Sequence, residues 1–352
     1  MKTELIPLED RRIAIIGGAG FIGHNLALAL KQKGAQVDII DGLQVNNLLS
    51  FASSDAADNP NRDLYVKVIN QRLELLREAG IPLHVQDARD YHGLSHTLDK
   101  IKPQVIIHLA AISHAGKSNK DPYSTFDHSL RTLENALDNA RGQVEHFIFL
   151  SSSMVYGNFL TEEVEETHPL DPIGIYGALK VAGEKMVIAY QQVFDLPYTI
   201  IRPSALYGPR CVSRRVGQIF IESAMKGGVL KIDGDGGEKL DFTYIEDLTN
   251  GIEKVIQHPK SRNQIFNMTY GKSRSINDLV GIIKEHFPEA PVEFVQRDNL
   301  MPFRGTLSVK KLDDLIGYKP THPIDIGFPK YIKWYKELDP SGKFWMDIKV
   351  SG

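Results

Sequence analysis

Short apolar runs alternate with longer amphipathic stretches through the first half of the chain. Arg12–Ile16 (RIAII), Gln36–Ile40 (QVDII), Leu83–Val85, Val105–Leu109 (VIIHL) and His146–Leu150 (HFIFL) have the length and apolar or β-branched content of strands. The segments between them, Phe21–Lys33, Asp63–Glu78, His92–Lys100 and Asp121–Ala140, read as helices. Strand, helix, strand repeated in this way predicts a parallel sheet covered on both faces. The polar, turn-rich stretch Asp41–Leu64 breaks the rhythm and is placed as an excursion over the mouth of a ligand site. Beyond Val181 the pattern loosens. Tyr198–Ile201 predicts one more strand, and Val216–Met225, Glu246–Gln257, Ile276–His286 and Lys310–Ile316 predict helices. Asp233–Glu238 (DGDGGE) predicts a tight turn. The expected architecture is a doubly wound α/β sheet over residues 1–195 and a smaller α/β lobe over 196–352, with interleaved contributions.

Composition narrows the function classes. With 41 Lys+Arg against 44 Asp+Glu the formal charge is −3, without the basic excess of a nucleic-acid binder. The 42% apolar and 24% charged content is that of a folded chain. One cysteine, Cys211, leaves no intramolecular disulfide and no multi-cysteine metal site. His92 and His96 share helical spacing but no acidic or cysteine ligand pattern, so no metal is expected. No signal-peptide core and no long apolar run is seen, which predicts a cytoplasmic protein without membrane insertion.

Strand Arg12–Ile16 runs into Gly17-Gly18-Ala19-Gly20-Phe21-Ile22-Gly23, with a helix following. In this G-x-x-G-x-x-G spacing Gly17 permits the turn, Gly20 lets a pyrophosphate approach the backbone, and Gly23 lets helix and strand pack closely. The next strand ends in Asp41, 24 residues beyond Gly17, where a carboxylate accepts from ribose hydroxyls and repels a 2′-phosphate. That favours NAD over NADP. Asp87, after the third strand, is either a contact for the adenine amino group or a simple turn aspartate.

Tyr176 and Lys180 stand four residues apart, on one face of a predicted helix. Twenty-four residues before Tyr176 a strand delivers Ser152, within Ser151–Gly157 (SSSMVYG), to the carboxyl edge of the sheet. These residues suit hydride transfer at a carbinol: Tyr176 takes the hydroxyl proton, Lys180 lowers the phenol pKa, and Ser152 hydrogen-bonds the reacting oxygen.

In order along the chain, GGAGFIG, HLAA (His108–Ala111), SSSMVYG, YGALK, IRPSALYGPR (Ile201–Arg210) and GDGGEKLDFTYIEDL (Gly234–Leu248) resemble the extended short-chain dehydrogenases/reductases, most of all the nucleotide-sugar epimerase/dehydratase group. The resemblance covers about residues 12–320. It implies a Rossmann-type fold, a carboxyl-terminal substrate lobe, a tightly held NAD, and homodimers through helices at about 121–140 and 174–192. It also implies the catalytic set Ser152, Tyr176 and Lys180. NAD contacts follow from Gly17, Gly20, Phe21, Ile22, Gly23, Asp41, Asp87, Ala88, Leu109, Ala110, Ala111, Tyr176, Lys180 and Pro203. Substrate contacts follow from His114, Ser152, Ser153, Met154, Ala205, Arg210, Arg215 and Arg297.

Four departures from the group's pattern refine the expectation. Dehydratases and decarboxylases of the group usually carry an acid two positions after the catalytic Ser, where this chain has Met154, and a thioether exchanges no proton. The expected activity is therefore 4-epimerisation of a nucleotide sugar, such as a UDP-sugar or UDP-uronate, through a 4-keto intermediate; a net oxidoreductase on a nucleotide sugar or other polyol is the alternative. The group's diphosphate-binding Arg aligns with Leu240 and its usual Asn with Ala205, so compensating cations are sought in Arg210, Arg214, Arg215 and Arg297. Lys239, adjacent in a strand, is expected to point the other way. Ser129 replaces an Asn that commonly meets the nicotinamide end.

Overall fold

Strand β1 (Arg12–Ile16) is buried at every position after Arg12, as expected where helices cover both faces of a sheet. The computed structural model describes residues 4–52, 60–113 and 115–346. In it β1 joins β2 (Gln36–Asp41), β3 (Leu83–Val85), β4 (Val105–His108), β5 (His146–Leu150), β6 (Tyr198–Arg202) and β7 (Gln264–Asn267) in a seven-stranded sheet. The spatial order is β7-β6-β5-β4-β1-β2-β3 and every pairing is parallel. Alternation along the strands divides the core into two layers. Ile13, Ile15, Ile39 and Ile107 pack on one face with helices Phe21–Gln32 and Arg62–Glu78. Ala14, Ile16, Ile106 and Phe149 pack on the other with Tyr91–Ile101, Thr132–Ala140 and Gly174–Phe194.

From β1 the chain goes out to β2 on one side and later returns to β4 on the other. This reversal opens a crevice at the carboxyl ends of β1 and β4, the usual ligand position in open α/β sheets. Strands β6 and β7 are contributed from beyond residue 195, on either side of segments that build the smaller lobe. In that lobe Leu230–Asp233 pairs in parallel with Val292–Val295, and Lys239–Leu240 pairs antiparallel with Arg274–Ser275. Two short parallel pairs, Thr306–Leu307 with Glu163–Val164 and Thr243–Tyr244 with Leu206–Tyr207, complete the small-sheet structure.

Three differences from the sequence reading bear on the site. The helical run from Pro122 to Ala140 contains a π turn at Asp127–Arg131, which shifts the helix face by a residue. Helix Ile324–Leu338, not foreseen, carries Pro329 and buries Phe328, Tyr331 and Tyr335. The excursion after Asp41 forms helix Leu48–Ala52 and then leads into Arg62–Glu78; its residues 53–59 lie outside the described structure.

Candidate active site

The glycine turn builds the first cavity. Gly17 has φ +80°, and a Cβ there would stand 2.7 Å from the Ala110 nitrogen. A Cβ on Gly23 would fall 2.4 Å from the Gly18 Cα, so only hydrogen lets helix Phe21–Gln32 approach the turn. At Gly20 the space is open apart from the Gly17 carbonyl at 3.3 Å. Gly20 caps the helix without a side chain, so the first-turn N–H groups are free to meet an anion. Asp41, at the end of β2, accepts from the Ala19 N–H at 2.9 Å and the Leu43 N–H at 2.7 Å. Burial pushes its carboxyl up while these two N–H groups pull it down. A carboxylate has about four acceptor positions, so the two still open match a pair of ribose hydroxyls. The residues present therefore fit a dinucleotide.

Gly17, Gly20, Phe21, Ile22, Gly23, Asp41, Asp87, Ala88, Leu109, Ala110 and Ala111 all line this cavity. Asp87 is already engaged: Arg89 donates to it at 2.6 Å and Gln44 at 3.2 Å. Burial raises its carboxyl, but the hydrogen bonds from Arg89 outweigh that and hold it below the usual range. The wall also contains Gln44, Arg72, His128, Thr132 and Ser213, which no sequence motif marks. His128 and Thr132 reach it from the π turn and the first residue after it. Ser129, in the same turn, is buried and absent from the walls of both cavities.

A second cavity of about 410 Å³ opens beside the first, and Ile22, Leu109, Ala111, Ser113 and Arg215 line both. Its inner end holds Ser152, Ser153, Met154, Tyr176, Lys180 and Pro203. Tyr176 and Lys180 project from helix Gly174–Phe194, and Ser152 follows β5. The Tyr176 hydroxyl is hydrogen-bonded to Ser152. Burial pushes the phenol above its ordinary value, and the charge of Arg215 and the Ser152 hydrogen bond pull it back in part. Arg215 is thus a second cation beside this phenol. The Lys180 ammonium lies 5.9 Å from the Tyr176 ring centre and donates to the Leu150 carbonyl at 2.6 Å. Burial pushes that ammonium down to about 8 against the pull of Glu184.

The outer part of the second cavity corrects two expectations. Arg210 does not reach either cavity: its guanidinium donates to His24 Nε2 at 3.0 Å and Asn25 Oδ1 at 3.4 Å. Left-handed backbone at Arg210 (φ +65°) and Arg214 (φ +51°) turns neighbouring side chains of this loop in different directions. Arg297 is also absent from the walls. It is paired with Glu238, donates to the Met301 carbonyl at 2.5 Å and stacks on Phe303. Besides Lys180, the cations that line this cavity are Arg214, Arg215, Lys231 and Arg304. Arg215 and Arg304 each have a buried Nε without a hydrogen-bond partner among the described residues. Burial pushes the Arg304 guanidinium down to about 10, Glu238 pulls it up, and Arg215 and Arg297 repel it. The carboxylates Asp233, Glu238 and Asp298 line the same cavity, so what the two arginines offer a ligand is their unused buried Nε donors.

Ala205 and Leu240 line the same cavity, as do Phe242 and Phe328. Lys239 is exposed, on the opposite face from Leu240. Cys211 is buried and burial pushes its thiol up, which leaves it unreactive. His114 lies outside the described residues. Among the described residues no helix is long and apolar enough to cross a membrane.

Comparison with known proteins agrees with this construction. The profile of the "NAD dependent epimerase/dehydratase family" matches residues 13–269. A putative UDP-glucose 4-epimerase of Methanocaldococcus jannaschii is 28% identical over 331 residues, spanning 92% of this chain and 98% of that protein. The human dTDP-D-glucose 4,6-dehydratase is 26% identical over 338 residues, spanning 93% of this chain and 90% of its own. Among solved structures, the UDP-glucuronic acid 4-epimerase of Bacillus cereus, bound to UDP-glucuronic acid and NAD, superposes with a TM-score of 0.81. It is 24% identical and the match covers 93% of this chain and 99% of that one. The chain thus belongs to the NAD-dependent epimerase/dehydratase family, with a Rossmann-type sheet and NAD as its cofactor.

Proposed function

We propose that this enzyme is an NAD-dependent 4-epimerase of a nucleotide sugar, on a UDP-sugar or a UDP-uronate. The observation that carries the reading is that Ser152, Tyr176 and Lys180 line the second cavity together with Met154, and that this cavity shares Ile22, Leu109, Ala111, Ser113 and Arg215 with the glycine-turn cavity. NAD, when bound, supplies the hydride acceptor and donor. Ser152 orients the reacting hydroxyl through its own, Tyr176 takes and returns the hydroxyl proton, and Lys180 contributes positive charge 5.9 Å from the centre of the phenol ring. A dehydratase needs a further acid to expel water, and the position where its relatives place one is the Met154 thioether. Proton exchange at one oxygen is within the means of this set.

The anionic part of the substrate is assigned to Arg215 and Arg304, which take the place of the Arg lost at Leu240. A bidentate guanidinium contact to phosphate accounts for about 1.5–3 kcal/mol. Arg304→Met is accordingly expected to raise KM for the nucleotide sugar by about 10–100-fold with little change in kcat. An unchanged KM would remove Arg304 from the site. The alternative, a net oxidoreductase on a nucleotide sugar or another polyol, draws on Leu240 and Ala205, which leave part of this cavity without the polar groups its relatives use. It predicts stoichiometric NADH and a readily dissociating cofactor.

A further inference from the structure

The helix that carries Tyr176 and Lys180 presents Glu184 one turn further on, so three side chains at four-residue spacing share a face. Glu184 is 1% exposed and fully engaged. Ser151 Oγ donates to its Oε1 at 2.5 Å, Arg202 Nε to Oε1 at 2.9 Å, and Arg202 Nη2 to Oε2 at 2.6 Å. Arg202, 2% exposed, also donates Nη1 to the Tyr156 hydroxyl at 2.8 Å and to the Glu166 carbonyl at 3.0 Å. The Tyr156 hydroxyl donates onward to Asn267 Oδ1 at 2.7 Å. Burying an ion pair costs desolvation that its own attraction barely repays, so stability alone gives a weak reason for the arrangement.

Each attachment of this carboxylate lies next to a residue of the reaction site. Ser151 precedes Ser152, Arg202 precedes Pro203, and Lys180 sits one turn back along the helix. Lys180 in turn donates to the carbonyl of Leu150, the residue before Ser151. Helix Gly174–Phe194 and the carboxyl end of β5 are therefore tied twice, by Lys180 to Leu150 and by Glu184 to Ser151. The groups that face Lys180 are Tyr176 and Glu184 from its own helix, His108 from β4 and the Phe149 ring from β5. His108 is buried, and burial with the nearby Lys180 pushes it down to about 3, so it carries no charge at neutral pH. Around Glu184 stand Arg202 and Tyr198 from β6 and Tyr156 from the turn after β5. Glu184 is the one carboxylate that acts on Lys180 among these groups.

We propose that Glu184, clamped by Arg202 and Ser151, is a positioning residue that holds Lys180 directed at Leu150 and Ser152 in register with Tyr176. This rests on the assignment of Ser152, Tyr176 and Lys180 to the reaction. The test is a 13C NMR titration of the lysine ε-carbons in the NAD-bound protein, with the Lys180 resonance identified by its loss in Lys180→Met. In the wild type Lys180 should titrate below the usual lysine range, as its burial requires. In Glu184→Gln its midpoint should fall by about 1 pH unit.

Glu184→Gln leaves the buried Arg202 unpaired, so the double variant Glu184→Gln with Arg202→Gln is measured beside it. A merely structural pair predicts that the double variant recovers the wild-type midpoint; the positioning role predicts that the shift persists. An unmoved Lys180 midpoint in either folded variant would overturn the proposal. Turnover of a UDP-sugar by Lys180→Met at the wild-type rate would instead defeat the catalytic assignment, which the titration leaves untouched.

Discussion

Tyr176 sits under two opposed demands. A base that removes a carbinol proton near neutrality needs its pKa lowered from about 10, whereas burial raises it. Positive charge close to the phenol resolves the conflict, and Arg215 supplies part of it. Replacing Tyr176 by Phe keeps the packing and removes the proton acceptor. Its kcat should fall by about 10²–10⁴-fold while the NAD content of the purified protein, read by chromatography after denaturation, stays at the wild-type level. Wild-type turnover would exclude Tyr176 as the base. At this scale the sequence brought Ser152, Tyr176 and Lys180 forward because each lies in a motif, two on a helix and one just beyond a strand, and the structure lines one cavity with all three. Arg304 was not legible: it follows the irregular stretch 298–303, and only its place in the cavity lining together with a buried Nε lacking a hydrogen-bond partner among the described residues singles it out. Arg210 misled for a related reason. Adjacent cations in a loop need not share a direction, and left-handed backbone at Arg210 and Arg214 separates them.

The elements that hold the site do so through close approaches. Gly17 and Gly23 bring β1, helix Phe21–Gln32 and the chain after β4 together, and the G-x-x-G-x-x-G spacing announced them. The π turn at Asp127–Arg131 was hidden, since its residues keep an apolar rhythm compatible with an ordinary helix. Helix Ile324–Leu338 was hidden by Pro329 and by Gly327, residues that usually argue against a helix interior. On the other face of the sheet, the helical layer of residues 122–140 and Gly174–Phe194 exposes apolar side chains. Pro122–Phe126 leaves Tyr123 84% and Phe126 48% exposed, and the neighbouring Tyr176 helix ends in exposed Val193 and Phe194. We propose that these helices pair two copies of the chain. Light scattering should then give about twice 39.4 kDa for the native protein and the single-chain mass for a Tyr123→Glu, Phe126→Glu variant. A monomeric native protein would contradict this pairing.

On the scale of the whole molecule, a near-neutral chain places several cations in the lining of its second cavity. The formal charge of −3 conceals this: Lys180, Arg214, Arg215, Lys231 and Arg304 line that cavity against Asp233, Glu238 and Asp298. The doubly wound sheet was legible from the alternation of apolar strands and amphipathic helices. The return of Gln264–Asn267 to the sheet edge was not, since a four-residue strand with polar ends carries little periodicity. The central claim is that one oxygen exchanges its proton at Tyr176 and one carbon inverts, with no net redox change. UDP-glucose and UDP-glucuronic acid deuterated at C4, incubated with the enzyme without added reductant and followed by NMR, test it most directly. The account predicts the 4-epimer of one of them with its deuterium retained at C4 and NAD recovered in the oxidised form. A 4-keto-6-deoxy sugar, or NADH accumulating in step with an oxidised sugar, would contradict it.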